Sequence, residues 1–130
     1  MQLLLVRHAE AAAGDPDALR PLTAAGRAHA RALGQRLREE GLALDAVVTS
    51  PLLRARQTGE AIARAAGLAA EVDERLAPGA GPDEVRAVAA DRGERVLVVG
   101  HQPDCGRIAA ALTGAPQPSF SPGAMIVIEL

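Results

Sequence analysis

The chain has 130 residues, a formal net charge of -2, 48% hydrophobic residues and 23% charged residues. This composition is typical of a single soluble globular domain, which we expect to cover residues 1–130 without long disordered segments. A single cysteine excludes a disulfide scaffold and a cysteine-based zinc cluster. No apolar run approaches the ~20 residues of a membrane span, and the charge does not indicate a nucleic-acid surface. We therefore expect a cytoplasmic protein with neither a nucleic-acid nor a membrane partner.

In chain order, hydrophobic periodicity predicts five strands that alternate with four helices. The first strand covers 2–6 and is followed by a loop over 9–22 and a helix over 24–40, then a strand at 45–49 and a helix at 51–66. A short strand at 69–73, a loop over 74–82, a helix at 83–91, a strand at 95–99, a helix from 103 to 113 and a strand at 124–129 complete the chain. Thr23 is the predicted cap of the first helix, and Ser50 that of the second. Alternation of this kind predicts a three-layer α/β/α sandwich with a mostly parallel sheet of about five strands.

Basic side chains and imidazoles follow three of the predicted strands. Arg7 and His8 come after the first strand, Arg54 lies just beyond the second, and His101 follows the fourth. Ligands of such sheets bind beyond the carboxyl ends of the strands. A single histidine in such a position is more often structural, but this joint occurrence favours an anion site, because guanidinium groups and helix N-termini bind phosphate oxygens. The lack of a Gly-rich loop and of any lysine argues against nucleoside triphosphate binding.

These residues lie in segments that resemble the signature motifs of the histidine phosphatase superfamily, which has the phosphoglycerate-mutase-like fold. The matching segments are LVRHAE at 5–10, LTAAG at 22–26, SPLLRARQT at 50–58 and VGH at 99–101. The match runs nearly end to end, so the resemblance implies one histidine phosphatase domain over residues 1–130. The segment RPLT, which begins at Arg20, and the small size look most like the SixA branch, the phosphohistidine phosphatases. Ala9 stands where the family commonly has glycine.

The resemblance implies the chemical roles of the site residues. His8 would be the nucleophile that forms a phosphohistidine enzyme intermediate, which water then hydrolyses. Arg7 and Arg54 would bind the phosphoryl oxygens, and His101 would donate a hydrogen bond to them as the imidazolium. Arg20 is a further candidate for substrate binding on the positive rim. Neither a metal nor a cofactor is implied, since arginines supply the charge that phosphoryl transfer needs.

One departure from the family pattern bears on the substrate. Many relatives carry a glutamate, the general acid, just after an "RL" pair, whereas residues 74–79 read ERLAPG here and Pro78 stands about where the acid is expected. A phosphoramidate already holds a proton on its leaving group, so it needs this acid less than an alkyl phosphate does. Four carboxylates are possible substitutes, although each is better read as a solvated loop charge: Asp73, Glu74, Asp83 and Glu84.

The preferred interpretation is a metal-independent phosphatase that acts on phosphohistidine in another protein, with a phosphorelay protein as one class of partner. Short loops at 9–22 and 74–82 suit a protein-borne substrate, because they leave the pocket open. Two alternatives stay open: a phosphatase or mutase of a small phosphomonoester, and a non-catalytic phosphate-binding regulatory module.

Three other residues receive ordinary structural interpretations. His29 lies mid-helix without a motif around it, Cys105 is expected as a small buried hydrophobe, and Arg56 is expected on the surface.

Overall fold

Five strands form one mixed sheet in the computed structural model, which describes residues 1–130. The strands are β1 (Gln2–Arg7), β2 (Ala46–Thr49), β3 (Glu71–Val72), β4 (Arg95–Gly100) and β5 (Met125–Glu129), and the helices are α1 (Ala24–Glu39), α2 (Leu53–Ala66), α3 (Pro82–Ala90) and α4 (Asp104–Thr113). The strand order is β3-β2-β4-β1-β5. All neighbouring pairs are parallel except β1 with β5. The predicted fold class and the alternation of strands and helices are confirmed.

Helices cover both faces of the sheet, which explains why the central strands are apolar along their whole length. Leu4 and Val6 of β1 share one core cluster with side chains of α1 and α2. Leu3 and Leu5 belong to a second cluster, together with side chains of α3 and α4. Successive residues of one strand therefore face opposite helix layers. A continuous apolar run supplies buried side chains to both layers.

The first turn of α1 is tied to the segment that follows β1. As predicted, Thr23 caps this helix, and its Oγ1 accepts a hydrogen bond from Gly26 N–H at 2.9 Å. The same hydroxyl donates to the carboxylate of Glu10 at 2.8 Å. Ala9 causes no backbone strain, because no residue other than glycine has a positive φ angle. No helix combines the length and the apolar character that crossing a bilayer requires.

The structure corrects the predicted start of the second helix. α2 begins at Leu53 rather than at Pro51, because Leu52 is extended, with φ -70° and ψ 141°. Ser50 is therefore not a helix cap; its Oγ accepts from Leu52 N–H at 3.2 Å, before the helix begins. Short 3-10 turns at Asp17–Leu19 and Glu74–Leu76 lie within the two segments predicted as loops.

Candidate active site

His8 and His101 lie side by side although 93 residues separate them in the chain. β1 and β4 are adjacent and parallel, and Arg7 pairs with Gly100, so the residue that follows each strand lies at the same edge of the sheet. The centroids of the two imidazole rings are 5.3 Å apart, with an interplanar angle of 55°. Parallel pairing thus produces the histidine pair that the strand ends predicted.

The backbone fixes the tautomer of His8. Its Nδ1 donates to the carbonyl of Ala9 at 2.7 Å, which leaves the lone pair on Nε2 available. The pKa of His8 lies below its usual 6.5, chiefly because the ring is buried, and the nearby charges of Arg54 and Arg7 act in the same direction. A neutral imidazole is the form that can attack phosphorus.

Ser50 determines the tautomer of His101. The Oγ of Ser50 accepts from Leu52 N–H and lies 2.6 Å from Nε2 of His101. The Ser50 hydroxyl has no other acceptor for its own proton, so we assign Ser50 as the donor to Nε2. The proton of the neutral ring is then on Nδ1, which is buried and has no hydrogen-bond partner. Burial foremost, and then the charge of His8, lower the pKa of His101 to about 4. His101 is therefore neutral at pH 7 in the substrate-free site. The imidazolium expected with a phosphoryl group bound stays a prediction.

Two arginines place further buried donors around the histidine pair. Arg7 Nη1 donates to the carbonyl of Phe120 at 2.9 Å. Arg54 Nη1 donates to the carbonyl of Asp17 at 3.0 Å, and its Nη2 donates to the carboxylate of Asp17 at 3.2 Å. The Nε atoms of both arginines are buried without a partner, as is Nδ1 of His101. Buried donors without partners are rare, and those of Arg7, Arg54 and His101 are available to the oxygens of a bound anion.

Arg20 lies beside this group, and Asp17 connects it to Arg54. Arg20 Nη1 donates to the carboxylate of Asp17 at 3.0 Å, and its Nε donates to the carbonyl of Ala12 at 2.9 Å. Hydrogen bonds from Arg20 and Arg54 hold the pKa of Asp17 below its usual range, so this carboxyl is ionised at neutral pH. Sequence reasoning missed Asp17, because a contact that spans 37 residues leaves no local pattern.

The loop at 74–79 is where the family pattern predicts the general acid. No carboxyl group of this loop forms a hydrogen bond to a residue of the site. Pro78 is exposed, and the N–H of the next residue, Gly79, donates to the carboxylate of Asp104 at 2.8 Å. Asp104 is buried at the start of α4 and was also missed. The Asp73 carboxylate pairs with Arg75, which lowers the pKa of Asp73 to about 2 and makes it a poor acid. The other candidates are exposed and form no hydrogen bond to a site residue: Glu74, Asp83 and Glu84.

The remaining reactive side chains give mixed outcomes. Cys105 is buried as expected, and burial raises the pKa of its thiol to about 12. His29 is exposed on α1. Arg56 is only partly exposed and its Nε is buried without a partner, so the expected surface position is confirmed in part. No group of three or more His, Cys, Asp or Glu side chains is arranged to hold a metal ion.

Known proteins share this fold and this sequence pattern. The family model described as histidine phosphatase superfamily (branch 1) matches residues 3–78. The phosphohistidine phosphatase SixA of Escherichia coli (strain K12) is 32% identical over all of this chain and 86% of its own. The structure of the protein histidine phosphatase SixA complexed with tungstate superposes with a TM-score of 0.90 at 31% identity, and covers 100% of this chain and 88% of that one. A putative phosphohistidine phosphatase SixA from Agrobacterium tumefaciens gives a TM-score of 0.82 at 27% identity, with 97% and 89% covered. The chain therefore belongs to the histidine phosphatase superfamily, whose members are hydrolases that use a histidine nucleophile.

Proposed function

We propose that residues 1–130 form one histidine phosphatase domain that removes the phosphoryl group from phosphohistidine in another protein. One observation carries this proposal. The lone pair on Nε2 of His8 is free, and three donors of the site are buried without a partner, on Arg7, Arg54 and His101. A nucleophile and an oxyanion-binding group together are the requirements for phosphoryl transfer.

In the first step, Nε2 of His8 attacks phosphorus and forms a new P–N bond, while the P–N bond to the substrate imidazole breaks. The departing imidazole keeps the proton on its other nitrogen and leaves as a neutral molecule. The guanidinium groups of Arg7 and Arg54, the Nδ1–H of His101 and the charge of Arg20 stabilise the phosphoryl oxygens. Water then attacks phosphorus, the bond to His8 breaks, and inorganic phosphate leaves.

The absence of a placed acid supports a P–N substrate over an alkyl phosphate. An alkoxide is a strong base that needs a proton as it leaves, whereas a protonated imidazole does not. Pro78 supplies no proton, and Asp73 is held as a carboxylate by Arg75. Similarity to the SixA proteins supports the same substrate class, and a phosphorelay protein is the partner class that we propose.

A substrate panel tests this proposal. The ratio of kcat/KM for a phosphohistidine peptide to that for an alkyl phosphate such as glycerol 3-phosphate is expected to be about 10²–10⁴, the usual contribution of general acid catalysis. Nitrophenyl phosphate, whose leaving group is a stable anion, is expected to fall between them. A rate on the alkyl phosphate equal to or above that on phosphohistidine would move the assignment to a phosphomonoester phosphatase or mutase.

Trapping identifies the nucleophile. Acid-labile, alkali-stable phosphate is expected on His8 after incubation with phosphoramidate and rapid quenching, and His8→Ala is expected to abolish both the label and turnover. Phosphate binding without turnover in the wild type would instead indicate a regulatory module.

A further inference from the structure

Charge is distributed unevenly over this acidic molecule. α1 and α2 carry seven of the 14 arginines but only two of the 16 acidic residues, so this helix pair has a formal charge of +5 and the rest of the chain one of -7. Both helices cover the same face of the sheet. One layer of the sandwich is therefore basic, while the remainder of the molecule is acidic.

A groove of about 250 Å³ runs between these two helices. Its walls are formed by Arg27, Arg31, Gln57, Glu60, Ala61 and Arg64. Arg27 is partly engaged, because its Nη1 donates to the carbonyl of Leu22 at 3.0 Å. The exposed guanidinium groups of Arg31 and Arg64 make no hydrogen bond and no ion pair within the molecule, and Glu60 is not paired with either. Two arginines in this groove are thus available to an external anion. 

One wall of the groove adjoins the segment that supports the nucleophile. Gln57 accepts a hydrogen bond from Leu22 N–H at 2.8 Å. The next residue, Thr58, accepts one from Ala9 N–H at 3.0 Å, and Ala9 holds the ring of His8 in place. A chain seated in the groove would therefore lie close to the edge of the sheet at which phosphoryl transfer is proposed to occur.

The chemistry of the surface selects the kind of occupant. A long nucleic acid would meet the -7 charge of the rest of the molecule, and the only aromatic side chain, Phe120, is buried and cannot stack on bases. A lipid surface needs large apolar side chains beside the basic ones. The exposed large hydrophobic residues lie elsewhere, and none is on α1 or α2: Leu19, Val72, Val127 and Leu130. An acidic protein segment meets neither obstacle, because a short anionic stretch fits the basic layer alone.

We propose that this groove docks an acidic segment of the phosphorylated partner protein and so selects substrates by the charge that surrounds their phosphohistidine. The proposal rests on the proposed function and adds a recognition surface outside the phosphate site. Attraction between opposite charges of this kind mainly raises the rate of association, and added salt weakens the attraction by screening the charges.

Two peptides and two matched variants test the proposal. The substrates are a phosphohistidine peptide with a glutamate-rich flank and the same peptide with glutamine in place of each glutamate. At low salt, the wild type is expected to hydrolyse the acidic peptide with a kcat/KM about tenfold higher, a preference that falls as salt is added. The double variant Arg31→Gln/Arg64→Gln is expected to lose this preference and its salt dependence, but to keep the wild-type rate on phosphoramidate.

The control variant is Arg86→Gln/Arg107→Gln, which makes the same change in net charge on exposed arginines of α3 and α4, in the opposite layer. It is expected to keep the preference. Equal loss in both double variants, or no preference in the wild type, would overturn the proposal.

A binding experiment separates this proposal from the proposed function. A fluorescent glutamate-rich peptide without phosphohistidine is expected to bind the wild type and the control variant but not Arg31→Gln/Arg64→Gln, whatever the enzyme hydrolyses. Tighter binding of a single-stranded RNA than of the acidic peptide would overturn the assignment of a protein partner. Self-association that is lost in Arg31→Gln/Arg64→Gln would overturn it in favour of a second copy of this chain.

Discussion

The hydroxyl of Ser50 determines which nitrogen of the His101 ring carries the proton, because it bonds to Nε2 of that ring. Ser50→Ala removes the donor to Nε2 of His101 and with it the preference for a proton on Nδ1. We expect kcat to fall about tenfold, the usual cost of one such hydrogen bond. The ¹⁵N chemical shifts of the His101 ring, measured at pH 7, are expected to change from the Nδ1–H tautomer to a mixture of tautomers.

A tautomer that is unchanged in Ser50→Ala would show that another group orients His101. The unfolding transition of the variant serves as a control, because Leu52 N–H also loses its acceptor. A lower melting temperature with wild-type kcat and an unchanged ring spectrum would assign Ser50 a structural role only.

Arginine at position 54 cannot be replaced by lysine without loss of geometry. Its guanidinium contacts Asp17 through two nitrogens and keeps a third, Nε, unpartnered, whereas lysine offers one point charge. We expect Arg54→Lys to lower kcat/KM by about 100-fold, as the removal of an oxyanion donor does. Arg56→Lys, two residues along the same helix, is the matched control and is expected to change kcat/KM by less than about threefold. Similar losses in the two variants, measured on phosphoramidate, would show that Arg54 has no special contact with the phosphoryl group.

At the scale of elements, the strands and helices follow from patterns that are local in the sequence. Buried strands appear as apolar runs and helices as stretches with 3.6-residue periodicity, and both patterns are determined by the faces that each element buries. The start of α2 could not be predicted in this way, because the Ser50 hydroxyl bonds to His101, 51 residues away, and does not cap the helix. β3 is only two residues long, so its ends carry little pattern.

The candidate site also has a part that the sequence predicts and a part that it does not. His8 and His101 could be predicted because they follow apolar strands that the parallel sheet places side by side. The contacts of Asp17 with Arg54 and of Asp104 with Gly79 could not be predicted, since they depend on how loops fold over the sheet. The protonation of His101 depends on its burial, which no residue near it in the sequence reveals.

The junction between α1 and the segment after β1 has no room for a side chain at Gly26. A Cβ there would lie 2.2 Å from the carbonyl oxygen of Glu10, a backbone atom that cannot rotate away. We expect Gly26→Ala to lower the free energy of unfolding by about 1–3 kcal/mol, as overpacking does, and to lower kcat by displacing the segment that carries His8. Chemical denaturation measures the first effect and phosphoramidate hydrolysis the second.

Gly14→Ala is the matched control for Gly26→Ala. Its Cβ would meet only the side chain of Arg20, at an ordinary 3.5 Å. The variant is expected to unfold at the same denaturant concentration as the wild type or slightly above it, since alanine restricts the unfolded chain. A Gly26→Ala protein as stable as Gly14→Ala would show that α1 can shift away from Glu10 without cost.

At the scale of the whole molecule, the buried histidine pair makes stability depend on pH. In the unfolded chain His101 binds a proton near pH 6.5, but in the folded protein only near pH 4. Between these values unfolding takes up a proton, so acid favours the unfolded state. Burial lowers the pKa of His8 as well, which acts in the same direction. The paired carboxylate of Asp73 acts in a separate range, because its pKa of about 2 costs stability only below about pH 4.

A comparison of pH 7 with pH 5 therefore isolates the histidines. From the shift of His101 alone, we expect the free energy of unfolding to fall by about 2 kcal/mol between these two pH values. Urea denaturation of the wild type, of His101→Gln and of His29→Gln measures the effect. His101→Gln is expected to lose most of the pH dependence, while His29→Gln, altered at an exposed position on α1, is expected to keep it. The same dependence in His101→Gln and the wild type would mean that His101 is protonated in the folded protein at pH 5, which burial of its ring with an unpartnered Nδ1 disfavours.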